Sequence, residues 1–119
     1  MSTSHAKYQR LIDHCKTLPP TTVAVVHPCD ETSLRGAVDA ARQGLIVPLL
    51  VGPKDKIEAT ARKFGIDLGD AGIVDAEHSH AAAERSVQLV REGRAEALMK
   101  GSLHTDELMG AVVRRDTGL

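Results

Sequence analysis

Short apolar runs alternate with amphipathic stretches that close at or near a glycine, and this alternation restricts the possible folds more than any other feature of the chain. The run Thr21 to His27 is rich in β-branched residues, lies between prolines and is too short for an average helix, so it reads as a buried parallel strand. Asp30 to Gly44 reads as a helix with an acidic start, apolar positions at Leu34, Val38, Ala41 and Leu45, and Gly44 as its stop. Ile46 to Val51 is a second strand. Its Pro48 has no N–H, so the strand either lies at an edge there or begins its ladder just after. A helix from Lys54 to Phe64 stops at Gly65, Ile73 to Asp75 forms a third strand, and a helix from Ser79 to Glu92 stops at Gly93. Ala97 to Met99 is the fourth strand, and Thr105 to Arg114 the last helix. A one-faced helix from His5 to Leu18, ended by Pro19 and Pro20, precedes them all. The order α-βα-βα-βα-βα calls for an α/β fold: a parallel sheet joined by right-handed crossovers, with helices on both faces.

In such folds the ligand crevice lies beyond the carboxyl ends of the strands, where the free N–H groups of the next helix point. The stretch Glu96 to Met109 has this form: a short strand, an abrupt turn at Lys100, Gly101 and Ser102, and a helix. Lys100 offers a mobile positive charge, and Gly101 has no side chain to keep a ligand from the backbone. The backbone N–H groups around Gly101 and Ser102, with the hydroxyls of Ser102 and Thr105, are suited to an anion. His104 either donates to a ligand or lines the turn. The substrate-binding candidates are therefore Lys100, Gly101, Ser102, His104 and Thr105, for something small and anionic. The competing reading is a plain βα turn with Thr105 as N-cap and Asp106 and Glu107 behind it. Asp30 and Glu31 share the same sheet edge as Lys100 and read as an acidic helix start, while His27 packs at the end of its strand.

The totals exclude several classes. At 119 residues the chain holds one modest core. Fifteen basic and 16 acidic residues, well mixed, leave a formal charge of −1 and no basic stripe for nucleic acid or anionic membrane. Tyr8 and Phe64 are the only aromatic residues besides histidine, too few for base stacking. Cys15 and Cys29 have no CxxC spacing, and with His27 they fall short of the four ligands of structural zinc, so no metal is expected. His78 and His80 open a helix, where residues two apart diverge. With no signal peptide or spanning segment in view, a cytoplasmic setting is expected. Neither GxxxxGK[ST] nor a GxGxxG after the first strand is present, which argues against a P-loop hydrolase and a dinucleotide dehydrogenase.

Three blocks in order, Val23-Ala-Val-Val-His27 with Asp30-Glu31, Gly44 to Gly52, and Leu98-Met-Lys-Gly-Ser-Leu-His-Thr105, resemble the phosphate acetyl/butyryltransferase family from about Tyr8 to Leu119. The Leu-Met-Lys-Gly form looks closer to the butyryltransferase-like branch, and to the acyltransferase portion of bifunctional enoyl-CoA hydratase/phosphate acetyltransferase proteins. The resemblance implies reversible acyl transfer between coenzyme A and inorganic phosphate, with coenzyme A as substrate and no cofactor. It implies an isocitrate/isopropylmalate dehydrogenase-like fold of two α/β domains, usually a homodimer, of which residues 1–119 are the amino-terminal part and the carboxyl-terminal half is absent. The aspartate and arginine thought to act on the thiol and the acyl phosphate lie in that later half. No catalytic residue is therefore assigned here, and the chain alone is expected to be inactive. Dedicated acetyltransferases tend to carry an arginine at the position of Met109, which leaves the acyl length open. The alternative from another class is a non-catalytic α/β module that binds a nucleotide or a protein partner, including through an open sheet edge.

Overall fold

The computed structural model describes Arg10, residues 19–114 and residues 116–119; apart from Arg10, the expected first helix, including Cys15, lies outside them. The described elements are β1 (Thr21–Val26), α1 (Glu31–Arg42), β2 (Ile46–Gly52), α2 (Lys54–Phe64), β3 (Gly72–Asp75), α3 (Ser79–Arg91), β4 (Ala97–Lys100) and α4 (Thr105–Val112). All strand pairs are parallel, and the sheet order is β3-β2-β1-β4. Pro48 sits opposite Val23 of β1, while the ladder to β3 begins one residue later at Leu49.

The order of the strands decides where the helices lie. From β1 to β3 the chain moves one way across the sheet, then crosses back to place β4 on the other side of β1. With crossovers of constant hand, this reversal sends α1 and α2 to one face and α3 and α4 to the other. The two cores follow. Val23 and Val25 of β1 pack with Leu34, Ala37, Val38, Ile57 and Ala61 on the first face. Ala24 and Val26 pack with Ala82, Ala83, Val87, Leu89, Leu108 and Ala111 on the second. Because β1 is covered on both faces, residues 23–26 are buried without alternation.

Local chemistry sets the ends of the elements. Asp30 is the N-cap of α1, its carboxylate accepting from the Ser33 N–H at 2.9 Å. Gly44, Gly65 and Gly93 follow or cap the helix ends with positive φ of 74°, 64° and 76°. α2 has Pro53 at its N-cap and no cap from its own sequence, and Asp75 at the end of β3 accepts from the Lys54 N–H at 3.0 Å instead. Asp75→Ala should therefore lower stability by about 1 kcal/mol, read as a lower urea midpoint, although Asp75 is in neither helix. α4 ends at Val112, earlier than Arg114, because the chain folds back: Leu119 N–H donates to Val112 O at 2.8 Å and Gly118 N–H to Arg114 O at 2.9 Å.

Candidate functional site

The reversal of strand order lies between β1 and β4, so the crevice of this fold opens between the segments that leave those two strands. On the β1 side, His27 turns the chain with φ of 58°, a left-handed conformation that costs a residue with a side chain roughly 1–2 kcal/mol. Its N–H donates to Val51 O at 2.7 Å, and the Cys29 N–H returns to His27 O at 2.9 Å. On the β4 side, Gly101 N–H donates to Val26 O and Ser102 N–H to His27 O, both at 2.8 Å. A Cβ on Gly101 would lie 2.3 Å from Val26 O and 2.5 Å from His27 O. The neighbour that requires glycine here is the β1 backbone.

The Ser102 hydroxyl completes this joint. It donates to His27 O at 2.8 Å, accepts from the Cys29 N–H at 3.3 Å, and lies 3.0 Å from His27 Nδ1. His27 O also accepts from the Cys29 and Ser102 N–H groups, and which of Oγ and Nδ1 donates in their mutual contact depends on the imidazole tautomer. Nε2 has no hydrogen-bond partner among the described residues. Gly101 and Ser102 thus differ from the expectation of free anion donors: their N–H groups and the serine hydroxyl are committed to holding β4 against β1.

Charges surround the joint. Burial, and then Lys56, push the His27 pKa below its ordinary 6.5, against the opposing pull of Glu107 and Asp30. Hydrogen bonds from Ser33 hold the Asp30 carboxyl below its ordinary range, and Lys100 adds to this, which puts Asp30 and Lys100 on one edge as expected. Burial raises the Cys29 thiol, which makes it a poor nucleophile at neutral pH. The His27 shift carries a definite sign. Above 6.5 the residue is neutral in both states; as pH falls from there, the unfolded chain takes up the proton first, so stability declines until the lowered folded pKa is passed. The urea midpoint should drop between pH 7.5 and 5.5, and His27→Asn should remove part of that drop.

Around the rim, Lys100 is exposed, its Nζ reaching only Gly101 O at 3.4 Å. His104, and not Thr105, occupies the N-cap of α4, and its side chain makes no capping bond, so the first N–H groups of that helix have no side-chain cap. Thr105 is the first helical residue, and both residues are exposed. Glu107 in the same turn accepts from the Ser79 hydroxyl at 2.7 Å, tying the starts of α3 and α4 together. Among the expected site residues, Lys100, His104 and Thr105 therefore face solvent at the crevice, while Gly101 and Ser102 form its floor. Sequence reasoning did not assign His27 to the site. The available signal was the doubly wound order itself, which places the ends of the first and fourth strands side by side.

Elsewhere, His78 and His80 do not diverge. His78 is the N-cap of α3 and has extended backbone, its Nδ1 accepting from the Ala81 N–H, so its ring stacks on His80 with centroids 6.3 Å apart. A cavity of about 610 Å³ lies beside α3 and is lined by Asp75, Glu84, Arg85, Arg91 and Arg114 among others. Its arginines are engaged by Glu92, the Asp116 carbonyl and Glu84, which leaves no convergent positive charge. No group of three or more His, Cys, Asp or Glu among the described residues is arranged to hold a metal ion, and no described helix is long and apolar enough to cross a membrane.

These features define a doubly wound α/β protein whose candidate ligand site lies at the switch point of the sheet. In sequence, the chain is a relative of the phosphate acetyltransferases and phosphate butyryltransferases. It is 56% identical over 114 residues to the phosphate acetyltransferase of Rhizobium meliloti, a match covering 96% of this chain and 36% of that protein. It is 33% identical over 112 residues to the phosphate butyryltransferase of Clostridium acetobutylicum, covering 94% of this chain and 37% of the relative. The higher identity is to the protein named as an acetyltransferase. The fold matches a phosphotransacetylase from Streptococcus pyogenes with a TM-score of 0.76 at 18% identity, covering 95% of this chain and 42% of that one. No protein-family model matches the chain. The chain spans about a third of the length of these curated relatives.

Proposed function

We propose that this chain is the amino-terminal part of a cytoplasmic phosphate acyltransferase, which exchanges an acetyl or butyryl group between coenzyme A and inorganic phosphate. The observation that carries the reading is the 56% identity, over nearly the whole chain, to a phosphate acetyltransferase. The complete protein is read as two α/β domains, isocitrate dehydrogenase-like in fold, working as a homodimer with the active site in the cleft between domains.

In the forward direction a phosphate oxygen attacks the acyl carbon, the carbon–sulfur bond breaks, and coenzyme A leaves as a thiolate that takes up a proton. In reverse the thiol must first lose that proton, since at an ordinary pKa of about 8.5 only a minority is ionised at neutral pH. This segment supplies the positive side of the phosphate site. Lys100 is a point charge on a flexible stem that can follow the phosphate through the reaction. The uncapped start of α4, with His104 and Thr105, offers further donors to the same anion. The floor formed by Gly101 and Ser102 fixes where these groups stand. The proton-transferring groups are assigned to the part of the transferase outside this chain.

The test is release of coenzyme A from acetyl-CoA and butyryl-CoA in phosphate buffer. It is run on this chain alone and on a chimera in which the chain replaces the matched segment of the Rhizobium meliloti enzyme. Turnover only in the chimera is the expected result, and a folded chimera without turnover would overturn the reading.

A further inference from the structure

We propose that the Ser79 hydroxyl holds the Glu107 carboxylate away from the start of its own helix, and so keeps the first N–H groups of α4 open to a phosphate dianion; this rests on the reading of the Lys100 turn as a phosphate site. The rival for those groups lies within the helix itself. With His104 at the N-cap, Glu107 stands at N3, the position from which a glutamate folds back onto the N-cap N–H. A carboxylate there would take a donor and set a negative charge where the anion is to bind, at the end of the helix that favours negative charge. Asp106, one position earlier at N2, is exposed and lies outside that geometry.

Glu107 does not fold back. Its Oε2 accepts from the Ser79 hydroxyl at 2.7 Å, a half-buried contact across 28 positions of sequence that joins the first turns of α3 and α4. Among the described residues the carboxylate makes no bond to the backbone of its own helix, and the N–H groups of Thr105 and Asp106 have no partner. Ser79 is within reach because α3 and α4 both begin at the carboxyl edge of the sheet and pack on the same face, although they follow the two outer strands. Glu107 remains within electrostatic reach of His27, so the placement of its charge bears on the joint. The other carboxylate beside the turn is also held by a serine: Asp30, which feels Lys100, accepts from the N–H and the hydroxyl of Ser33. Asp30 thereby caps its own helix, whereas Glu107 is turned to a neighbour and leaves its own helix start bare.

Ser79→Ala and Glu107→Ala break the same hydrogen bond with different consequences for the anion, which separates positioning from mere support of the fold. Both variants would be made in the chimeric transferase, with Lys100→Ala beside them, and kcat and the KM values for phosphate and coenzyme A measured for each. Ser79→Ala keeps a good helix former at the first position of α3 and frees the charged rival. It should raise the KM for phosphate roughly three- to thirtyfold, with kcat and the KM for coenzyme A within about twofold. Glu107→Ala removes the rival and should leave the KM for phosphate unchanged or lower it. Adding Glu107→Gln to Ser79→Ala should bring that KM back to within about threefold of the unaltered chimera, since the freed amide carries no charge. A higher KM for phosphate in both alanine variants, or in neither, while Lys100→Ala is impaired, would overturn the role of Ser79 and keep the phosphate site. No effect of Lys100→Ala would overturn the site itself, and the role of Ser79 with it.

Discussion

Replacing Gly101 with alanine should cost roughly 3 kcal/mol or more and lower the thermal midpoint by about 10 °C or more, read by circular dichroism. The methyl group would sit 2.3 Å from Val26 O, at the end of β1, and 2.5 Å from His27 O just beyond it. No rotamer change can relieve such a contact. The sheet has to open between β1 and β4, and opening it loses the Gly101 and Ser102 N–H bonds as well. Gly36 is the control. It lies inside α1, and a methyl group there would meet nothing within 4 Å, so Gly36→Ala should stabilise by about 0.5–1 kcal/mol through helix propensity. Similar losses from both substitutions would show that the β1–β4 joint is not as close as described.

The second large effect is expected in catalysis. In the chimeric transferase, Lys100→Ala should raise the KM for phosphate by roughly 10- to 100-fold, the worth of a charged hydrogen bond, and change the KM for coenzyme A far less. The exposed ammonium has no acidic partner at ion-pair distance among the described residues and holds only a weak contact to its neighbour's carbonyl, so its removal should leave the fold intact. Steady-state kinetics in both directions check this. Unchanged constants for phosphate would remove Lys100 from the site, whatever the protein's overall activity.

How much of this was visible before the structure depends on the range of the interactions involved. The helix from Lys54 to Phe64 and the burial of Val23 to Val26 were legible because each rests on neighbours in sequence: apolar period, proline and glycine boundaries. Asp30 and Lys100 on one edge followed from the same topology. The role of Asp75 was hidden, since its carboxylate caps a helix that begins 21 positions earlier. The same is true of Ser102. A serine after a glycine at a strand end reads as a ligand donor until the strand beside it is known, and here His27 and Cys29, in the segment leaving that strand, supply the partners of its hydroxyl. His78 and His80 depart from expectation for a smaller reason: helical divergence applies inside a helix, and the N-cap lies outside it.

The sheet order has a consequence for how the chain is made. His27 and Ser102 meet across 75 positions of sequence, so β1, one of the two inner strands, keeps one flank open until β4 arrives. During vectorial synthesis everything through α3 emerges first, with β2 and β3 free to assemble on β1 while the opposite flank waits. Closing so long a loop costs entropy that local contacts cannot offset, which makes this step a slow one. The crevice therefore comes into existence in a single late event, and a nascent chain stopped short of Ser102 would carry a sheet without a site.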